Sequence, residues 1–597
     1  MNNNEFNILL KNDLNDLNNK NMSKFLENKN EQELLKEDRI SYKLTLRKQK
    51  LQEKLYNKRI FQSPDIFNFF IIGNECIKRR NYTEEDLLKG KIYEDLKNAY
   101  KSNNNTEIKE CFLGLGIILE NKYANNKEIL NFLKNSDSKE DGNFALGNLS
   151  YEIMLHIDDI LVYIYSINIL LNFSFISNDF CTLITSENKI KEILNRLNYF
   201  YPLYIEEKKN NENNSNNNTS ITLQENSKIL SYYVMSQTLK LLGNLFINAK
   251  SYEEFELNNF YNKIFFLLSI FNLNFKNKKY IIHVYEYLRT LLWLVCLFFE
   301  KIEDIKIKYF DKIIKIIPNL LNSIRGLYFT QETELLEYII YIIEEIENSS
   351  MIFSKEIVEN DGIKILSNLF GYLFNTDKNG FEIEINSEIT LRILGIFINI
   401  FLLESEYIIN YDLSQFTLVY EKLFDIYKMH HSNHYDIQDA LLQLLANLGC
   451  FDDIEDIVIN FFLNNKIMNN LFIYYYKYHK SRTLIIIDNI IQKQHKKVRD
   501  FILDKGGFNA IKNSIIDYDN ELSENLLKEG LAALYNLINV EKKFNIRLLF
   551  EKIYKTSIPE KIREIELNLN LPIDIDAKTK SMIIEFDAYE KSLEDEL

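Results

Sequence analysis

Six short apolar stretches, each carrying an asparagine, recur along this chain at intervals that limit what it can fold into. They read ILLNFSF (169–175), LLGNLFI (241–247), ILGIFINI (393–400), LLANLGC (444–450), IIDNIIQ (486–492) and ALYNLIN (533–539). The asparagines are Asn172, Asn244, Asn399, Asn447, Asn489 and Asn536, and the last three gaps between them are 48, 42 and 47 residues. The gap from Asn244 to Asn399 is 155 residues, close to three such periods, and it holds apolar stretches near 288–299 and 335–347 that lack the asparagine. The first gap, 72 residues, includes a polar insert. A unit of forty-odd residues cannot bury its own apolar faces, so it must stack on further copies of itself.

The repeated unit is helical. Only 5 Pro and 16 Gly occur in 597 residues, which leaves little room for tight turns and β-meanders, while 46% hydrophobic residues supply a core. The segments EIVENDGIKILSNLF (356–370) and FILDKGGFNAIKNSI (501–515) share a helix, a charged break, a Gly and a second helix. Gly362 and Gly507 in these breaks are expected to take the left-handed conformation that turns one helix into the next. The expected fold is all-α, a right-handed armadillo- or HEAT-type superhelical solenoid of roughly eight to ten repeats. The Gly-linked short first helix favours the armadillo form, whose third helices line a groove. An Asn on that groove offers a donor and an acceptor to a peptide backbone. Asn172, Asn244, Asn399, Asn447, Asn489 and Asn536, with Trp293, are therefore the candidate cargo-binding residues; chance recurrence in an Asn-rich chain is the alternative, and for Trp293 a core position.

Charge is divided unevenly. The chain carries 71 Lys and Arg against 86 Asp and Glu, a net −15. Between Arg39 and Arg59 the sign reverses, with Arg39, Lys43, Arg47, Lys48, Lys50, Lys54, Lys58 and Arg59 opposed only by Glu53. That stretch is +7, so the remainder is −22. On a helix, Arg39, Lys43, Arg47, Lys50, Lys54 and Lys58 fall within one arc, with Ile40, Leu44, Leu51 and Leu55 forming an apolar stripe beside it. Such an arm can bind an acidic partner or its own body; a solvated charged helix or a coiled-coil segment are the plainer readings.

The basic arm ahead of a repeat body resembles the importin-alpha family of nuclear-transport adaptors, in which an importin-beta-binding helix precedes about ten armadillo repeats. The resemblance rests on Arg39, the core Leu46-Arg47-Lys48-Gln49-Lys50, and Lys58-Arg59, where Ile60 stands in place of the family's Arg-Asn end. It implies that the eight basic residues bind an importin-beta-type carrier and that the groove holds peptide or protein cargo, with passage between cytoplasm and nucleus. The chain departs from the family at its groove, where the resemblance implies a tryptophan four residues before each asparagine, forming slots for the lysine stems of cargo. The residues four before the asparagines are Asn168, Lys240, Gly395, Gln443, Ile485 and Ala532, none aromatic. A groove without those tryptophans binds another peptide class or the protein's own arm. An armadillo scaffold without a transport role is the alternative, and a HEAT-like regulatory subunit a third.

The expected organisation is a disordered leader over 1–37, the basic helix over 38–62, the solenoid over 65–580 with an Asn-rich insert at about 207–222, and an acidic tail over 581–597. No signal peptide is expected from the polar start, and the densest apolar run, Leu291–Phe299, is too short for a membrane span. Scattered cysteines fit buried thiols in a reducing compartment. No enzyme signature, cofactor or direct nucleic-acid site is expected. His430, His431 and His434 read as a polar loop rather than a metal site. Leu113-Gly114-Leu115-Gly116 reads as a helix-packing spot, and Lys78-Arg79-Arg80-Asn81 as the polar end of a first body helix or a localisation signal.

Overall fold

The computed structural model describes most of residues 80–596; residues 1–79, 122–143, 201–217, 272–280, 374–386, 402–418 and 422–434, together with shorter stretches, lie outside the description. The described residues form helices joined by turns and short irregular links, and no strand occurs among them. They divide into two compact units between Ile342 and Ile343.

Each unit is a helical-repeat stack of the solenoid type. The recurring element is a triplet: a short first helix, a tight corner, a second helix and a longer third helix. Met351–Glu359, Gly362–Leu373 and Ser387–Ile400 form one such triplet, and Lys496–Asp504, Gly507–Ile516 and Glu524–Phe544 another. In the first unit Glu84–Leu88, Lys91–Lys101 and Asn105–Asn121 repeat the pattern, as do Glu253–Leu257, Phe260–Ser269 and Ile281–Lys301. Third helices stack on third helices. In the first unit Asn105–Asn121, Ile160–Ile176, Asn218–Ile247 and Ile281–Lys301 pack in succession, and in the second Ser387–Ile400, Tyr435–Gly449, Lys480–Ile491, Glu524–Phe544 and Ile573–Glu596 do so.

The corners depend on left-handed backbone, but not at the glycines the sequence singles out. The residue with positive φ is the one before: Asp361 (φ 60°) precedes Gly362, and Gly506 (φ 94°) precedes Gly507. Gly90 (φ 74°) and Asn259 (φ 58°) occupy the same corner in the first unit. Gly, Asn and Asp enter this region at least cost. Gly362 and Gly507 serve instead to let helices approach. A Cβ at 362 would lie 2.5 Å from the Ile357 carbonyl oxygen, and one at 507 would lie 2.6 Å from the Phe472 ring.

Two further expectations are corrected. The helix Asn218–Ile247 begins inside the expected insert, so the insert ends before Asn218. The expected acidic tail is the second half of the helix Ile573–Glu596, whose Met582 and Phe586 are fully buried. Arg80 and Asn81 lead irregularly into Thr83, which caps Glu84–Leu88, while Lys78 and Arg79 lie outside the described residues. The basic arm Arg39–Arg59 and the histidines at 430–434 lie outside the described residues.

Among the described residues one helix, within Ile282–Lys301, is long and apolar enough to cross a membrane, and 78% of it is buried inside the protein. It is the core helix of the first unit. Phe298 packs against Phe246, Phe260 and Tyr261, and Trp293 lies against Gly243, where an added Cβ would sit 2.2 Å from the indole.

Two glycines give opposite expectations under substitution. Gly243→Ala should lower unfolding stability by about 1–3 kcal/mol through overpacking against Trp293. Gly395→Ala, whose nearest neighbour would be Glu344 Oε1 at 3.9 Å, should raise it by about 0.5–1 kcal/mol through helix propensity. Urea unfolding of the two variants checks both signs.

Candidate interaction face

The third helices of the second unit share one outward register. Residues 392, 395 and 399, then 436, 440, 443 and 447, then 482, 485 and 489, and then 529, 532 and 536 follow the i, i+3/i+4, i+7 spacing of a single helix face. Along it Gly395, Asn399, Asp436, Ala440, Gln443, Arg482, Ile485, Asn489, Glu529, Ala532 and Asn536 are half-buried. This half-open stripe is the candidate interaction face.

The expected asparagines lie on it, but their amides are directed along the stack. Asn399 Nδ2 donates to Asn348 Oδ1 (2.8 Å) and Glu347 Oε2 (3.0 Å). Asn447 Nδ2 donates to the Ile398 carbonyl (3.4 Å), and Asn489 Nδ2 to the Ala446 carbonyl (3.1 Å). Asn536 Nδ2 donates to Asp488 Oδ1 (2.8 Å). Each asparagine thus reaches the end of the preceding third helix. A helix leaves its last carbonyls without intrahelical partners, and an amide from the next layer satisfies one of them or a side chain beside them. Among the asparagines, the repeated residue type therefore stitches one layer to the next. Between the stitches the half-buried stripe carries Asp436, Gln443, Arg482 and Glu529 among the smaller or apolar Gly395, Ala440, Ile485 and Ala532.

Ion pairs reinforce the same joints. Arg392 pairs with Glu344 and with Glu388, and its side chain is almost wholly buried. Arg482 Nε lies 3.7 Å from Asp439, and Ser481 donates to Glu529 at 2.7 Å. Deeper in the unit Arg499 meets Glu541 at 2.9 Å, and the same carboxylate oxygen accepts from the Leu549 N–H. Apart from Arg392–Glu388, which is four residues apart, the side-chain pairs lie more than forty positions apart, so no local spacing in the sequence points to them.

In the first unit the corresponding register is closed. Tyr165, Asn168 and Asn172 are buried, as are Tyr233, Gln237, Lys240 and Asn244 on the next third helix. Asn244 Nδ2 donates to Ser174 Oγ (3.0 Å), Tyr163 and Thr238 share a hydrogen bond of 2.9 Å, and Ser236 meets Thr290 at 3.0 Å. Lys240 is paired with Glu286 at 2.5 Å, and Arg289 reaches Glu332 at 2.7 Å. Asn172, Asn244 and Trp293 are thus corrected as groove residues: all three are buried in the interior of the first unit. Trp293 fills the space that Gly243 leaves. No group of His, Cys, Asp and Glu among the described residues could hold a metal ion.

No family model matches the sequence, and no curated protein does. The chain is similar to solved structures of helical proteins at low identity. One is an engineered protein at 13% identity, with a TM-score of 0.43 over 83% of this chain and 98% of that one. A second engineered protein is 12% identical, with a TM-score of 0.32 over 47% of this chain and 99% of its own. A chain from a structure of the interaction between cadherin and beta-catenin is 12% identical, with a TM-score of 0.41 over 82% of this chain and 90% of that one. At these values the fold rests on the helices themselves, which define an all-α helical-repeat protein.

Glu347 gives the face a pH dependence. It is buried, and burial pushes its carboxyl well above the usual carboxylate range; hydrogen bonds from Asn399 and Ser354 oppose that shift and nearby Glu344 adds to it. A carboxyl raised in the folded state favours folding fully below its unfolded value and loses that contribution as pH rises through the folded value. Glu347→Gln should therefore be more stable than the parent at pH 7, with the difference shrinking toward pH 4. Thermal unfolding across that range checks it.

Proposed function

We propose that the protein is a protein-interaction scaffold without catalytic activity, and more narrowly an adaptor of the importin-alpha kind. The observation that carries the reading is the half-open stripe on four successive third helices, where Asn399, Gln443, Asn489 and Asn536 alternate with Asp436, Arg482 and Glu529. Such a surface suits an extended polypeptide, because regularly spaced polar groups match the regular spacing of a peptide backbone. The oxygen-bearing side chains on it, Asn399, Asp436, Gln443, Asn489, Glu529 and Asn536, suit ligands that bring donors, such as backbone N–H groups, lysine and arginine.

The +7 arm supplies the second half of the reading. It binds an importin-beta-type carrier through Arg39, Lys43, Arg47, Lys48, Lys50, Lys54, Lys58 and Arg59, and in the absence of carrier it competes with cargo for the acidic body. Carrier capture of the arm then couples the two binding events. The protein on this reading moves between cytoplasm and nucleus.

The interior position of Trp293 favours a second reading, an interaction scaffold with no transport role, because no tryptophan then remains for the interaction face. The full chain with Arg47, Lys48 and Lys50 changed to Ala separates the two. The adaptor reading expects the parent to bind an importin-beta-type carrier, with affinity falling as salt screens the arm, and the triple variant to lose at least tenfold. A parent that shows no affinity for such a carrier leaves the scaffold.

A further inference from the structure

The chain enters the described structure at Arg80, and there it lies across the third helix of the first triplet. Glu107, Glu110, Cys111 and Gly114 share one face of Asn105–Asn121 by their i, i+3/i+4, i+7 spacing. Arg80 N–H donates to the Glu110 carbonyl at 3.3 Å. Its guanidinium stands 3.1 Å from Asp95, 3.6 Å from Glu107 and 3.8 Å from Glu110, so three carboxylates from two helices surround one cation. Two residues on, Tyr82 hydroxyl donates to Asp95 (3.0 Å) and lies 3.3 Å from Cys111 Sγ. Gly114 makes the crossing possible. A Cβ there would meet the Arg80 carbonyl oxygen at 2.5 Å and the Tyr82 ring at 2.7 Å. The Leu-Gly-Leu-Gly and Lys-Arg-Arg-Asn motifs, which the sequence leaves unrelated, thus meet at one point.

We propose that Arg80–Tyr82 is a releasable strap, which closes over the face of the first third helix and opens without unfolding the layer beneath it. The strap itself is irregular, so no backbone ladder holds it. Its hold on the layer is one backbone bond, the Tyr82 ring with its hydroxyl against Asp95 and Cys111, and a set of ion pairs in which Arg80 retains 31% of its side-chain exposure. Exposed pairs of this kind are individually weak and are screened by salt. The helix beneath is secured independently: Ile108, Phe112, Leu115 and Leu119 are buried in the core of the first unit, and Lys109 is paired with Asp159 at 2.7 Å. Opening would leave Asp95, Glu107 and Glu110 without their shared cation.

Cys111 reports the event. It is 1% exposed and lies under the Tyr82 hydroxyl, whereas Cys181 and Cys296 are buried in other layers of the same unit and Cys450 is exposed. The experiment is thiol labelling of the intact full-length chain with a small maleimide, followed site by site by mass spectrometry at rising sodium chloride concentration. The expected result is a rate at Cys111 that climbs at least fivefold between low salt and 1 M, with Cys181 and Cys296 unchanged. Arg80→Ala should show the fast Cys111 rate already at low salt, and Gly114→Ala, which expels the strap sterically, should match it. Because the salt series needs no substitution, it stands even if a variant fails to fold. Parallel acceleration of Cys111, Cys181 and Cys296 would mean that the layer opens as a whole, and a Cys111 rate insensitive to both salt and Arg80→Ala would mean a fixed cap. Either result overturns the strap.

Discussion

The structure depends on the way successive third helices are joined by polar bonds through an otherwise apolar stack. A helix presents its neighbours with unpaired carbonyls at one end and side chains along its face, and a polar group buried without a partner costs on the order of 1–3 kcal/mol. Here each layer supplies what the preceding one lacks. In the second unit Asn447 and Asn489 reach the carbonyls of Ile398 and Ala446, while Asn399 and Asn536 reach the side chains of Asn348 and Asp488. Ser174 and Asn244 make the equivalent joint in the first unit. Apolar packing is tolerant of small slips, whereas these bonds fix the register between layers, because a helix displaced by one residue would lose its donor and its acceptor together.

The same joints account for the division between closed and open faces. Where the register carries Tyr233, Gln237, Lys240 and Asn244 it is interior, and the polar groups are consumed inside the protein. Where it carries Gly395, Gln443, Ile485 and Ala532 the face remains half open. The amide donors of Asn399, Asn447, Asn489 and Asn536 are spent within the stack.

Much of this was legible in the sequence. The forty-odd-residue period and the scarcity of Pro and Gly announced an all-α repeat, and the six asparagines do lie on third helices at corresponding places. Direction was not legible. Nothing local shows whether an Asn side chain points to solvent or to the helix before it, and for Asn447 and Asn489 the acceptor is a backbone carbonyl that every residue possesses. The glycines misled in a related way, since DG and GG look alike as corner signals while the left-handed residue is the first of each pair, Asp361 or Gly506. Trp293 was read from its neighbours in sequence, but its environment is set by Gly243, fifty residues earlier.

The claim that asparagines hold the layers in register is tested most directly by a double-mutant cycle on Asn536 and Asp488, read by urea unfolding at pH 7. If the amide joins the two layers, Asn536→Ala and Asp488→Ala should each destabilise the chain, and the double variant should cost less than their sum by about 0.5–2 kcal/mol. Additivity within about 0.3 kcal/mol would show that the two side chains do not depend on one another. In that case the asparagine recurrence would need an explanation outside the stack.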